Sequence, residues 1–147
     1  MTSIYDVMGS HHKHCDELFS ACEDACLNQH WDKGSTEFDR FRETFEAHLA
    51  AEERILFPAF ETATGFSSGP TQVMKIEHEQ MRGLLAEMTR AVAAKDRNDF
   101  AGQADTLLIL MQQHNIKEEN ILYPMCDNML AGSAAGLADQ LGTACRS

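Results

Sequence analysis

The feature that most constrains this chain is an internal repeat. The segment His48–Pro58, HLAAEERILFP, returns 66 residues later as His114–Pro124, HNIKEENILYP. Histidine, both glutamates, isoleucine, leucine and proline recur in register. A histidine and a glutamate four residues apart lie about one turn apart on the same helix face. The repeat therefore predicts two equivalent His-x-x-x-Glu pairs, which would form a cage for two metal ions if they faced each other.

Composition limits the class of protein. The chain has 147 residues, 44% of them hydrophobic and only 3 of them proline, which fits one globular domain. A net charge of −11 argues against nucleic acid or an anionic membrane as a partner, because both attract a basic surface. The longest aliphatic run, Leu107–Met111, is too short to span a membrane, and the N-terminus lacks the pattern of a signal peptide. We therefore expect a cytoplasmic protein.

Four stretches carry apolar residues at alternating three- and four-residue steps, the pattern of helices with one buried face. Their short connections predict an all-α, up-down-up-down antiparallel four-helix bundle over residues 1–131. Residues 132–147 form a tail, in which Leu137 and Leu141 indicate a short helix. The predicted inward face of the first helix is Tyr5, Met8, His12, Cys15, Phe19, Cys22 and Cys26, and that of the second is Phe38, Phe41, Phe45, His48, Glu52, Ile55 and Ala59. The inward face of the third is Met74, His78, Met81, Leu85, Met88 and Val92, and that of the fourth is Phe100, Ala104, Leu107, Met111, His114, Glu118, Ile121 and Met125.

Local signals predict where the helices begin and end. Ser3 with Asp6 favours the start of the first helix, and Thr36 with Asp39 favours the start of the second. A proline in each repeat, at positions 58 and 124, should kink or end the second and fourth helices, because each removes a backbone hydrogen bond.

Six ionisable residues lie on the apolar faces, and all four helices contribute. They are His12, His48, Glu52, His78, His114 and Glu118. Charged or polar groups are costly in a core unless they are paired or bind a metal. Four imidazoles and two carboxylates suit iron, manganese or zinc, and two carboxylates that can each bridge would hold two cations close together.

The choice of His12 in the first helix depends on the repeat. His12 precedes His48 by 36 residues, and His78 precedes His114 by the same interval. His14 is the alternative, but it points about 160° away from His12 in a regular helix, so both cannot be ligands.

These motifs together resemble the hemerythrin-like, His-His-Glu cation-binding domain family over roughly residues 3–130. The resemblance rests on His12, His48-x-x-x-Glu52, Glu77-His78 and His114-x-x-x-Glu118. It implies a non-haem centre of two iron ions, Fe²⁺ or Fe³⁺, bridged by oxo or hydroxo, with Glu52 and Glu118 as bridges and the four histidines as terminal ligands. It also implies dioxygen or another small diatomic molecule as the partner.

The chain departs from the oxygen-carrying members at one ligand. Those proteins have a fifth histidine one turn before the position of His78, where this chain has Met74. They also have aspartate five residues after their last histidine, whereas Glu118 follows His114 by four. One iron is then more open, or takes water or a carboxylate from Glu77 or Glu79.

Other polar residues receive weaker assignments. Glu53 and Glu119 recur one step off the inward face, where a solvated role and a hydrogen bond to a ligand histidine are equally favoured. Tyr5 and Tyr123 are within reach of the site, but Tyr123 is assigned no catalytic role, because Phe57 fills the matching place in the first repeat. The five cysteines are an odd number, which without an export signal argues against a disulfide framework, and none belongs to a Cys-x-x-Cys pair: Cys15, Cys22, Cys26, Cys126 and Cys145. The first three fall on one helical stripe and are interpreted as small buried core residues rather than redox or metal groups.

The leading functional hypothesis is a di-iron protein that binds or senses dioxygen or a related small ligand. One alternative is a redox enzyme acting on peroxide or nitric oxide at the same centre. Another is iron storage or sensing. The sequence leaves the oligomeric state open.

Overall fold

The computed structural model describes residues 2–145. Its elements are α1 (Ile4–Leu27), α2 (Trp31–Ala51), a π-helical turn π1 (Glu52–Leu56), α3 (Phe57–Thr64), α4 (Pro70–Ala94), α5 (Arg97–Lys117), a second π-helical turn π2 (Glu118–Leu122), α6 (Tyr123–Met129) and α7 (Ala134–Cys145). The all-α bundle that the sequence predicts is confirmed. Four long helical units form it: α1, α2 through α3, α4, and α5 through α6.

Contacts between the helix ends show how the units are arranged. The backbone N–H of Ile4 donates to Asp127 Oδ1 (2.9 Å), and Arg97 donates to the Leu27 carbonyl (2.7 Å). The start of α1 therefore lies beside the end of α6, and the end of α1 lies beside the start of α5. These two long units run in opposite directions.

Helix starts agree with the sequence at α1 but not at α2. Ser3 and Asp6 form a reciprocal capping box at α1, as predicted. The expected start of the second helix at Thr36 and Asp39 is wrong, since α2 begins at Trp31. The turn is tight here, and a Cβ placed on Gly34 would lie 2.7 Å from the Cys26 Sγ. Glycine lets the first turn of α2 pack directly against α1.

Both repeats continue as helix past their prolines. The backbone N–H of Phe57 donates to Glu52 and that of Tyr123 to Glu118, which are the i→i+5 bonds of a π-turn. Of the two effects predicted for Pro58 and Pro124, ending the helix is therefore wrong, while a kink stays a prediction. The wider turn accommodates each proline ring, and a helix resumes at once.

The π-turns change which side chains face the core. From the start of each π-turn onwards the predicted inward face is lost: Ile55 and Ala59 are half-buried, and Ile121 is 55% exposed. Leu56 and Leu122 are buried instead. Each π-turn contains one residue more than an α-turn, so every later side chain moves by about 100° around the helix. Tyr5 is also exposed, because the neighbouring Ile4 takes the inward place at the start of α1.

Two apolar clusters fill the bundle. The first surrounds Phe38, Phe41, Met88 and Phe100 near the α1–α2 and α4–α5 turns. The second contains residues of the π-turns, α3, α6 and α7. The tail helix contributes Ala138, Leu141 and Cys145 to this second cluster, while the domain boundary at residue 131 stays a prediction. No helix in residues 2–145 is long and apolar enough to cross a membrane.

Candidate metal centre

The six predicted site residues meet in one polar layer between the two apolar clusters. Met8 belongs to the second cluster and Cys15 to the first, so His12 on α1 lies between them. Both carboxylates are fully buried, and the imidazoles are at most 4% exposed: Glu52, Glu118, His12, His48, His78 and His114. His14, the alternative on α1, is exposed.

Glu118 lies between one histidine of each half. Its Oε1 is 3.1 Å from His12 Nε2 and 3.2 Å from His114 Nε2. Glu52, its counterpart in the repeat, has Oε1 3.1 Å from His78 Nε2 and 3.7 Å from His48 Nε2. Each carboxylate therefore reaches towards imidazoles from both halves of the chain.

Several of these buried atoms form no hydrogen bond within the described residues, because the neighbouring imidazole and carboxylate atoms are close but not aligned as a donor and an acceptor. Buried polar atoms are rarely left without a hydrogen bond. The atoms in question are His48 Nδ1, His48 Nε2, Glu52 Oε1, His78 Nε2, His114 Nε2 and Glu118 Oε2. The unsatisfied atoms are nitrogen and carboxylate donors of the kind that ligate iron, manganese or zinc. Two overlapping sets place one ligand atom of each member within 4.8 Å of the others: Glu52, His78, His114 and Glu118; and His12, His48 and Glu118. The cluster fits a metal site.

Carboxylates hold the outer ring nitrogens of three histidines. His12 Nδ1 lies 2.8 Å from Glu119, and His78 Nδ1 lies 2.7 Å from Glu53. These two contacts are equivalent under the 66-residue repeat. A carboxylate that accepts a hydrogen bond from Nδ1–H keeps the proton on that nitrogen, so the Nε2 lone pair faces inward, as metal-binding histidines require. The structure thus favours the hydrogen-bonding role of Glu53 and Glu119 over the solvated one.

Glu77 performs the same task for His114, whose Nδ1 is 2.8 Å away, and its other oxygen is bound by Lys117. Glu79 is 74% exposed at its side chain and pairs with Arg82. Of the alternatives for the more open iron, a carboxylate from Glu77 or Glu79 is therefore not the one that this arrangement favours. Their positions on α4 direct both carboxylates away from the centre of the layer. Glu77 points towards the outer nitrogen of His114, and Glu79 points towards solvent.

The two halves of the centre differ in their outer environment. Arg82 binds Glu53 at 2.8 Å, which lowers the pKa of that carboxyl against the effect of its burial. Residue 11 occupies the place in the first half that Glu77 occupies in the second. It is a histidine, and its ring centroid lies 6.2 Å from that of His48. Within residues 2–145, the outer nitrogen of His48 therefore has no carboxylate partner of the kind that its counterpart His114 has.

The tyrosine of the second repeat enters the layer, which sequence reasoning missed. The Tyr123 hydroxyl lies 2.7 Å from Glu52 Oε2, 2.9 Å from Glu118 Oε1 and 3.1 Å from His12 Nε2. Tyr123 is five residues beyond Glu118, which in an α-helix would point it about 140° away. The π-turn returns residue i+5 to the face of residue i, so only a prediction of that turn could have found it.

Burial and mutual charge set the proton affinities of the metal-free cluster. Burial, the charge of Glu118 and hydrogen bonding raise the pKa of Glu52 to about 7. Burial alone would lower the pKa of His114, but the charge of the Glu118 carboxylate, 3.2 Å from its Nε2, outweighs burial and raises the pKa to about 9. His48 has its pKa lowered well below the usual value by burial and by the nearby His12. Burial and both carboxylates raise the pKa of Tyr123 well above its usual value.

Comparisons with known proteins agree with this geometry. The profile of the family described as the hemerythrin HHE cation-binding domain matches residues 3–126. The chain is 34% identical over 98 residues to the iron-sulfur cluster repair protein YtfE of Edwardsiella ictaluri (strain 93-146), covering 60% of this chain. The match spans 44% of that relative, less than half of its length. None of the solved structures matches the chain significantly.

Proposed function

Because the chain belongs to the hemerythrin HHE cation-binding family, we propose that it holds two non-haem iron ions and binds dioxygen or a related small ligand there. The observation that carries the proposal is the set of unsatisfied, buried imidazole and carboxylate atoms that three of the four long helical units contribute, beside the buried His12 of the fourth. Manganese or zinc would suit the same donors. Iron is favoured because the similar protein of Edwardsiella ictaluri is named for the repair of iron-sulfur clusters.

Each iron is assigned two histidines from one half of the repeat. His12 and His48 hold one ion, and His78 and His114 hold the other. Glu118 belongs to both ligand sets and would be shared by the two ions. Glu52 also reaches histidines of both halves and is assigned the second bridge. Two carboxylates offset part of the charge of two cations, which makes burial of both kinds of ion tolerable.

The protein's own groups prepare the centre for a small ligand. Glu119, Glu53 and Glu77 fix the histidine tautomers, so that lone pairs face the metals before they bind. Apolar clusters on both sides of the polar layer exclude bulk water. Met74, buried one turn before His78, offers no imidazole to fill the remaining position there. Bound iron supplies one-electron redox chemistry and a position at which a diatomic molecule can bind.

Metal analysis and spectroscopy test the proposal. Protein purified without added metal is expected to contain two irons per chain. The anaerobic ferrous form should develop a charge-transfer absorption band when dioxygen is added. A His12→Ala variant should lose iron, whereas His14→Ala, which changes an exposed histidine two residues away, should retain both ions. Equal iron content in the two variants, or no spectral change with dioxygen, would contradict the proposal.

A second candidate is the supply of iron to damaged iron-sulfur clusters. The observation that favours it is the similarity to a repair protein, although the chain covers 44% of that relative. The iron-loaded protein should then restore activity to an enzyme whose cluster has been damaged by nitric oxide. Restoration no greater than that given by the same amount of free ferrous iron would reject this function and leave ligand binding as the conclusion.

A further inference from the structure

The Tyr123 hydroxyl has more short contacts than its one proton can satisfy. Its oxygen lies within 3.1 Å of a carboxylate oxygen of Glu52, one of Glu118 and the Nε2 of His12. One O–H group donates to one acceptor at a time. When the His12 proton is on Nδ1, towards Glu119, its Nε2 faces the phenolic oxygen with a lone pair. The carboxylate that does not accept the phenolic proton also faces that oxygen with lone pairs only. A cation among these atoms would stabilise the arrangement.

Three of the atoms have the spacing of ligands on one metal. Tyr123 Oη, Glu118 Oε1 and His12 Nε2 form a triangle with sides of 2.9, 3.1 and 3.1 Å. Donor atoms about 2.1 Å from one cation and at right angles to each other lie about 3.0 Å apart. The phenolic oxygen therefore stands where an octahedral metal would place its neighbouring ligand.

Resting on the di-iron centre proposed above, we propose that Tyr123 is a direct oxygen ligand of the metal held by His12 and His48. On metal binding the phenol O–H bond breaks, the proton leaves to solvent, and an oxygen electron pair forms the bond to the cation. No oxidation or reduction accompanies this step.

The repeat makes the two metal positions chemically different. Phe57 occupies the place equivalent to Tyr123 and lies against His78, with ring centroids 5.5 Å apart, as Tyr123 lies against His12. Phenylalanine has no donor atom. The metal beside His78 therefore lacks the phenolate and keeps that position for an external ligand, while the metal beside His12 is closed by Tyr123.

The tyrosine content of the chain makes a direct test practical. Tyr5 and Tyr123 are the two tyrosines of the sequence, and Tyr5 is 44% exposed. The diferric form of the whole chain should show a visible phenolate-to-iron absorption band, with tyrosinate ring vibrations in the resonance Raman spectrum. Tyr123→Phe, which copies the residue that the first repeat uses, should bind two irons and lose both signals. Tyr5→Phe should keep them.

The Tyr5→Phe protein also decides the question if Tyr123→Phe does not fold, because Tyr123 is then its single tyrosine. Ring-deuterated tyrosine incorporated into it should shift the ring vibrations. Two bound irons without tyrosinate vibrations would overturn the assignment of Tyr123 and leave the di-iron centre standing. A wild-type chain that binds no iron would overturn both.

Discussion

The two buried glutamates should respond oppositely to neutralisation in the metal-free protein, although they are equivalent in the repeat. Glu52→Gln and Glu118→Gln each replace a carboxylate with an amide of the same shape. Both parent side chains are fully buried. Glu118 Oε1 lies between two imidazoles at 3.1 and 3.2 Å, whereas Glu52 Oε1 has one at 3.1 Å and a second at 3.7 Å.

The expected change in the free energy of unfolding for Glu52→Gln follows from the pKa of Glu52, which burial and the charge of Glu118 raise from 4.5 to about 7. A raised carboxyl pKa means that its contribution to stability is present below about pH 4.5 and is lost as the pH rises through about 7. Above pH 7 the ionised group costs roughly 3 kcal/mol, because a tenfold change in proton affinity corresponds to about 1.4 kcal/mol. Glu52→Gln should therefore stabilise the metal-free chain by up to about 3 kcal/mol at pH 8, or about 6–12 °C in Tm for a chain of this size.

Glu118 should behave in the opposite way. Burial would raise its pKa, but the charge of His114 and hydrogen bonds from its neighbours outweigh burial and hold it well below the usual value. Its stabilising contribution is thus present above about pH 4.5 and is lost as the pH falls towards its lowered pKa. Glu118→Gln should lower the stability of the metal-free chain at pH 8, because it removes the charge that pairs with His12 and His114.

Thermal unfolding in the presence of a chelator at pH 8 and pH 4.5 measures both effects. We expect the Tm of Glu52→Gln to be higher than that of the wild type at pH 8 and close to it at pH 4.5. Adding ferrous iron anaerobically should raise the Tm of the wild type more than that of either variant, since each variant lacks one of the two carboxylates proposed to bind the metals. Equal shifts of the same sign for the two variants at pH 8 would refute the reasoning.

Three other outcomes follow from the site and the core. The affinity for a cation should rise about tenfold per pH unit for each proton displaced as the pH is raised towards 9. The reason is that His114, whose pKa is about 9 in the metal-free chain, must release its proton to bind the cation. Calorimetry in buffers of different ionisation enthalpy measures that proton release. Glu53→Gln and Glu119→Gln should each weaken iron binding about 10- to 100-fold in competition with a chromogenic chelator, while the exposed control Glu79→Gln should not. Burial raises the pKa of all five thiols, which are those of Cys15, Cys22, Cys26, Cys126 and Cys145. Alkylation followed by mass spectrometry should therefore find them unreactive until the chain is unfolded, and rapid labelling of the folded protein would contradict this.

The helical periodicity of the sequence was sufficient to place the inward side chains as far as the buried glutamate of each repeat. Every predicted inward residue of α4, from Met74 to Val92, is buried. On the second and fourth long units the prediction holds up to Glu52 and Glu118 and fails after them. A fixed rotation of 100° per residue cannot describe a segment in which the hydrogen bonds change from i→i+4 to i→i+5.

Glu77 shows a second limit of sequence reasoning. Its place beside His78 made it a candidate ligand, but it binds the outer nitrogen of His114 and Lys117 on α5. Spacing along one helix says which face a residue occupies. It does not say which neighbouring helix that face meets, since this depends on how the units pack.

By itself, the sequence determined the class of the fold and the six residues of the polar layer, because a repeated His-x-x-x-Glu on apolar helical faces has few other uses in a core. The tertiary structure alone decided how those residues are oriented and what completes them. The π-turns carry Tyr123 to the carboxylates, and Glu53, Glu77 and Glu119 reach imidazoles 25, 37 and 107 residues away in the chain. The physical reason is that a ligand's identity is local to its helix face, whereas its hydrogen-bond partners and charge environment come from helices brought together only by packing.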